Sequence, residues 1–193
     1  MSIFSKYKAR YEEHKPEEYT LEQYLKLCKK DPMAYATAHE RLLKAIGEPT
    51  VVDTSADEKL SRLFQNRKIR VYPAFKEFYG MEDVIEHIVA FFKHAAQGLE
   101  EAKQVLYLLG PVGGGKSSLA EKLKSLMQKL PIYTISAYNP NLETWETSPV
   151  LESPLNFFTR STDPEEDDSV DLEKNYGIPV RYINGTLSPW AVK

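Results

Sequence analysis

The eight residues Gly110-Pro111-Val112-Gly113-Gly114-Gly115-Lys116-Ser117 constrain this chain more than any other stretch. They follow the pattern G-x-x-x-x-G-K-[ST], the Walker A arrangement, in which a glycine-rich turn delivers a lysine and a hydroxyl residue. Glycine recurs there because successive backbone N–H groups converge on one anion only where no Cβ intervenes. A helix starting near Ser117 adds the positive end of its dipole, worth about 0.3–1 kcal/mol toward an exposed negative charge. In such a cradle Lys116 neutralises the β- and γ-phosphates of a nucleotide, and the Ser117 hydroxyl is a ligand of Mg²⁺.

The flanks agree with a phosphate cradle rather than a simple glycine turn. Residues 104–109 are apolar and β-branched enough to be a short buried strand that Gly110 ends. Beyond the loop, Leu119, Ala120, Leu123, Leu126, Met127 and Leu130 recur at helical spacing until Pro131. Residues 132–137 read as a second strand, and two strands joined by a helix share a sheet only through a parallel crossover. The fold expected is α/β, a partial P-loop NTPase core with parallel strands, preceded by an α-helical N-terminal segment.

That segment begins with a capping box at Thr20-Leu21-Glu22-Gln23, followed by the stripe Leu21, Tyr24, Leu25 and Cys28. Asp31-Pro32 is expected to open a second helix carrying Tyr35, Ala38, Leu42, Leu43 and Ile46, with Gly47 at its end. Residues 48–56 read as a connector, which divides the chain into a helical segment at 1–56 and an ATP-binding part at 57–193. Residues 81–97 have the strongest amphipathic pattern, with Val84, Ile85, Ile88, Val89, Phe92, Ala95 and Ala96 on one face. From Tyr138 a long loop is expected, ending in a short strand candidate at 176–182.

Composition narrows the class. The chain has 193 residues, 42% hydrophobic and 11% aromatic, which excludes collagen-like and wholly disordered chains. No apolar run approaches the roughly 20 residues that span a bilayer, and the opening lacks a secretory signal, so a cytoplasmic protein without a membrane partner is expected. Cys28 stands alone and reads as a buried thiol. The net charge is −3, with seven acids and no base between Asp163 and Glu173; without them, 21 acids face 25 bases. The acidic run reads as a solvated loop rather than a metal site. The surplus elsewhere is too small to argue for nucleic acid. Arg62, Arg67, Lys68 and Arg70, near Phe64 and Tyr72, read as a solvated basic face or a contact to nucleotide or a neighbouring subunit. His87 and His94 are seven residues apart, but zinc needs three or four ligands and no third lies near.

One part of an ATPase is not found. Hydrolysis needs a carboxylate at the end of a second apolar strand, and no four apolar residues followed by Asp or Glu occur after Ser117. No catalytic residue is therefore assigned, and the expectation is that these 193 residues alone neither turn over ATP nor phosphorylate protein appreciably.

Residues 98–109 running into Gly-Pro-Val-Gly-Gly-Gly-Lys-Ser-Ser closely resemble the AAA-type ATPase region of the PrkA family of bacterial serine protein kinases. So do Arg10-Tyr11-Glu12-Glu13, Ala45-Ile46-Gly47-Glu48-Pro49, Tyr72-Pro73-Ala74-Phe75, Phe78-Tyr79-Gly80-Met81-Glu82, Tyr176-Gly177-Ile178-Pro179 and Ser188-Pro189-Trp190-Ala191. The resemblance implies ATP and Mg²⁺ as cofactors, bound by Gly110, Pro111, Val112, Gly113, Gly114, Gly115, Lys116, Ser117 and Ser118, with Ser117 on the metal. It implies that Tyr79 and Gly80 belong to an element bordering adenine. It also implies a protein substrate, homo-oligomers through the AAA region, and members that continue well beyond Lys193 into a kinase-like region. The alternatives are an AAA motor coupled to protein remodelling or proteolysis and a non-catalytic, nucleotide-gated binding module; a nucleic-acid motor comes third.

Overall fold

Local capping chemistry sets out the helices of the computed structural model, which describes residues 3–6, 8, 17–163 and 165–192. The stretch Arg10-Tyr11-Glu12-Glu13 and His14 lie outside these described residues. Helix α1 (Leu21–Lys30) opens on the expected box: the Gln23 N–H donates to Thr20 Oγ1 at 3.3 Å, and the Thr20 N–H donates to Gln23 Oε1 at 2.9 Å. Two orphan donors are thereby satisfied. Its face of Tyr24, Leu25 and Cys28 is buried.

The helix expected from Asp31-Pro32 to Gly47 is two elements. Asp31 caps only a 3-10 turn at Pro32–Ala34, and α2 (Ala38–Ile46) starts on a second capping box formed by Thr37 and Glu40. Gly47 ends α2 with φ +80°. The stretch read as a connector contains β1 (Thr50–Asp53), after which α3 (Glu58–Phe64) leads to β2 (Lys68–Val71). The two strands pair antiparallel, with Thr50 opposite Val71 and Asp53 opposite Lys68. Thr54 is fully buried and its hydroxyl donates to the Arg67 carbonyl at 2.7 Å. This removes the isolated-hydroxyl cost of burial.

Helices α4 (Glu82–Ala96) and α5 (Lys116–Met127) form where their periodicity predicts. With α2, β2 and the turn Pro73–Phe75 they enclose a core that includes Leu42, Ile46, Ile88, Val89, Leu119 and Leu126. The start of α5, and with it the glycine loop, is thus anchored on buried leucines.

The parallel sheet does not form. Residues 104–109 make no strand: Leu106 and Leu108 pack on the first core, while Val105, Tyr107 and Leu109 are 89%, 80% and 85% exposed. The alternation is that of a strand covered on one face. A parallel strand needs a ladder beside it and cover on both faces, and among the described residues no strand pairs with this stretch. The second expected strand survives only at its end. There β3 (Ser136–Asn139) and β4 (Thr144–Thr147) form an antiparallel hairpin where a loop was expected, with Tyr138 opposite Trp145.

A second core joins α1 to α6 (Asp168–Tyr176) through Tyr24, Leu25, Cys28, Leu155, Leu172 and Ile178. The acidic run is therefore not a loop throughout. Asp167 caps α6 by accepting from the Ser169 N–H at 3.0 Å, and Asp168 and Asp171 lie in its first turn, where carboxylates complement the dipole. The strand candidate at 176–182 is instead the end of α6, the left-handed Gly177 and a 3-10 turn at Val180–Tyr182. A one-turn helix, α7 (Pro189–Val192), comes last. No helix among the described residues is long and apolar enough to cross a membrane.

Candidate functional site

The loop 110–115 closes on itself before α5 begins. The Gly114 N–H donates to the Pro111 carbonyl at 3.2 Å, and a Cβ at Gly114 would stand 3.1 Å from that same oxygen. Gly113 and Gly115 have φ +80° and +75°, the left-handed region that L side chains adopt at a cost of about 1–2 kcal/mol. Gly115 is the N-cap of α5, and no side chain caps that N-terminus. Its first-turn amides therefore keep their donors for another acceptor, which is the property an anion site needs.

Lys116 folds back over this loop. Its Nζ donates to the Gly110 carbonyl at 2.7 Å and to the Pro111 carbonyl at 2.5 Å. The ammonium is thus held at the loop's mouth by acceptors that compete with an incoming anion. Ser117 and Ser118, on the first turn of α5, are exposed. Beside the loop lies a cavity of about 340 Å³ bordered by Gly110, Pro111, Gly114, Lys116, Met81 and Tyr107 among others. Val112 is fully exposed at the tip of the loop and does not border it.

The structure brings the turn before α4 to this loop through Met81, whose Sδ lies 3.2 Å from where a Gly115 Cβ would be. Gly80 has φ +77° and gives the chain its turn into α4. Tyr79 is 88% exposed and borders a second cavity, of about 260 Å³, with Tyr72, Phe75, Phe78 and Glu82. Phe75 and Phe78 make an edge-to-face pair with centroids 6.1 Å apart, and burial pushes the Tyr72 phenol pKa up. Met81 and Glu82 stand in the stretch quoted for the resemblance, but only Tyr79 and Gly80 of it were assigned to the site. That resemblance was the signal in the sequence; the contact of Met81 with the Gly115 position and the placement of Glu82 in the second cavity come from packing.

The residues suit a nucleotide: glycines whose added Cβ would crowd the loop, an uncapped helix start, a lysine at its mouth and an exposed hydroxyl one residue on. Among the described residues no group of three or more His, Cys, Asp or Glu is placed to hold a metal ion. Ser117, whose exposed hydroxyl follows Lys116, would be the residue of this loop to hold Mg²⁺. Three of the four basic residues near Phe64 are engaged elsewhere: Arg62 pairs with Glu58, Arg67 with Asp83 and Arg70 with Glu86. Arg67 also stacks on Phe64, 5.7 Å from the ring centre.

With that geometry in place, comparison with known proteins is informative. The family described as the PrkA AAA domain matches residues 19–193. Among curated relatives, a "Serine/threonine kinase YeaG" of Escherichia coli is 60% identical over 193 residues, covering all of this chain and 28% of that protein. An "ATP-dependent protease PrkA" of Bacillus subtilis is 32% identical over 171 residues, covering 88% of this chain and 23% of that protein. The chain thus spans about a quarter of the length of these relatives. No solved structure matches it.

Proposed function

The chain belongs to the PrkA AAA domain family, and from that premise we propose that it is the Mg-ATP-binding region of a PrkA-like serine protein kinase. The observation that carries this reading is the uncapped N-terminus of α5 beneath a closed glycine loop, with Lys116 held at its mouth. On this reading residues 57–193 supply the front of an AAA-type unit, and residues 1–56 are a helical segment and connector, in which α2 buttresses α4 and α5. Residues 104–109, apolar on both faces, take the place of a central parallel strand once neighbouring strands are available.

Each residue has a physical role. The amides of Gly113, Gly115, Lys116, Ser117 and Ser118 donate to phosphate oxygens, that of Gly114 once it leaves the Pro111 carbonyl, while Gly110, Pro111 and Val112 shape the turn. Lys116 exchanges its two carbonyl acceptors for the β- and γ-phosphates, a trade of neutral for charged hydrogen bonds. Ser117 would hold Mg²⁺ through its hydroxyl oxygen, and the metal would supply neutralisation of phosphate charge. Tyr79 and Gly80 border the base. The protein is read as cytoplasmic, acting on a protein substrate and assembling through its AAA region.

The Bacillus subtilis relative, by its name, is an ATP-dependent protease. This favours a second reading, an ATP-driven motor coupled to proteolysis, which uses the same loop. Full-length protein incubated with γ-labelled ATP and a protein substrate separates the two: label on serine supports the kinase, and ATP-dependent release of peptides supports the motor. An increase in the unfolding temperature of this chain with Mg-ATP, absent in Lys116→Ala, supports the binding role common to both.

A further inference from the structure

The hairpin of β3 and β4 is a sheet without cover. None of residues 136–147 belongs to either core. Tyr138 and Trp145 make an edge-to-face pair with ring centres 5.8 Å apart, yet they are 52% and 65% exposed. Two strands alone are marginal in water, and a third strand beside them is the usual remedy. The outer edge of β4 has room for one. Among the described residues β4 pairs only with β3, and it holds neither proline nor lysine, the residues that commonly blunt an edge.

The side chains along this edge specify what a third strand must carry. Alternation puts Trp145 with Tyr138 on one face of the hairpin and Glu146 with Ala137 on the other. An added strand therefore sets one residue beside Trp145 and the next beside Glu146, and both places call for a cation. Arg67 lies over Phe64 and Arg181 over Tyr182, whereas no lysine or arginine among residues 17–192 lies over Tyr138 or Trp145. Tryptophan is the strongest of the aromatic faces for such a charge. The carboxylates of Glu146 and of Glu143, at the turn, make no ion pair among the same residues. Residues 131–159 hold the acids Glu143, Glu146 and Glu152 and no lysine, arginine or histidine. A second copy of the hairpin would set acid against acid, and nucleic acid or anionic lipid would be repelled in the same way. We propose that β4 takes up a basic, extended segment of another protein as a third strand, with one cationic side chain stacked on Trp145 and the next paired with Glu146. Main-chain hydrogen bonds along the edge hold such a segment, and the two adjacent side chains select it.

The test is titration of the purified native chain, without nucleotide, with two labelled peptides of about ten alternating valines and threonines. One has a central Arg-Lys pair and the other a central Glu-Glu pair. Anisotropy of the label reports binding, and Trp145 emission in a Trp190→Phe background, with unlabelled peptide, reports its place. The Arg-Lys peptide is expected to bind at least about tenfold more tightly than the Glu-Glu peptide, to weaken as salt rises and to change Trp145 emission. Trp145→Ala should weaken Arg-Lys binding at least about threefold, and Glu146→Lys should reverse the preference between the peptides. Both side chains lie outside the cores, so the unfolding midpoint should not move. Equal affinities, unchanged Trp145 emission, or a Glu146→Lys variant that still prefers Arg-Lys overturns the proposal. So does tighter association with a second copy of the chain, or with vesicles of anionic lipid, than with the Arg-Lys peptide. Because ATP is left out, the result is independent of the glycine loop.

Discussion

Lys116 Nζ lies 2.7 Å from the carbonyl oxygen of Gly110, so the ammonium at the start of α5 bridges back to the residue that opens the glycine loop. The contact also reaches Pro111. It closes the loop with the donor that a phosphate would claim. A charge-assisted bond to phosphate is stronger than one to a neutral carbonyl, so an arriving polyphosphate can displace both carbonyls without leaving the lysine unpaired. The ammonium is thus partnered without a ligand and still able to exchange.

The anchoring of α5 predicts a large stability effect outside the loop. Leu126 is fully buried among the first core residues. Leu126→Ala should lower unfolding free energy by about 2–5 kcal/mol, through lost transfer energy and the cavity left behind. Urea unfolding followed by circular dichroism measures it. A shift in the midpoint at constant slope is the expected form.

A different mechanism governs Gly115. Its φ of +75° is one that alanine adopts only with strain, and Met81 stands 3.2 Å from the added Cβ. Gly115→Ala should therefore destabilise by about 1–2 kcal/mol and weaken ATP binding, since the N-cap amides shift with the backbone. Paired measurement of the urea midpoint and the ATP affinity checks both. Unchanged values for both would mean that the loop relaxes freely.

Acid should release the C-terminal turn. Buried Glu152 accepts from the Ser188 N–H and Ser188 Oγ, each at 2.6 Å, and from Ser148 Oγ at 3.2 Å. These donors, the Ser188 hydroxyl first, hold its carboxyl below the ordinary glutamate value of 4.5. Because the folded value is the lower one, the stabilisation is present above pH 4.5 and is lost as pH falls through the folded value. Trp190 fluorescence in a Trp145→Phe background should change below that pH. Glu152→Gln, which lacks the charge at every pH, should not show the acid step.

What was legible in the sequence follows the range of the forces involved. The Thr20–Gln23 box, the stripe of α4 and the order Gly115-Lys116 are set by neighbours in the chain, and each was readable as such. The break after Ala34 was missed because Asp31-Pro32 and Thr37-Ala-His-Glu40 both signal a helix start, and only packing chooses between them. Residues 104–109 have a strand's composition, but pairing depends on partners far along the chain. The acids of the acidic run face solvent as their charge density suggests, except half-buried Asp167; the helix was missed, since Asp167 caps it and Leu172 holds it in the second core. Within the site, the loop residues were legible from their pattern. The contact of Met81 with the Gly115 position was not, since it depends on how the turn before α4 meets the glycine loop.

The central claim is tested most directly by calorimetric titration of Mg-ATP into the native chain and into Lys116→Ala. The account predicts one binding site in the native chain and a loss of at least about tenfold in affinity on removing the ammonium, the scale of a hydrogen bond to a charged group. Equal affinities in the two proteins, or no binding by the native chain, would contradict it.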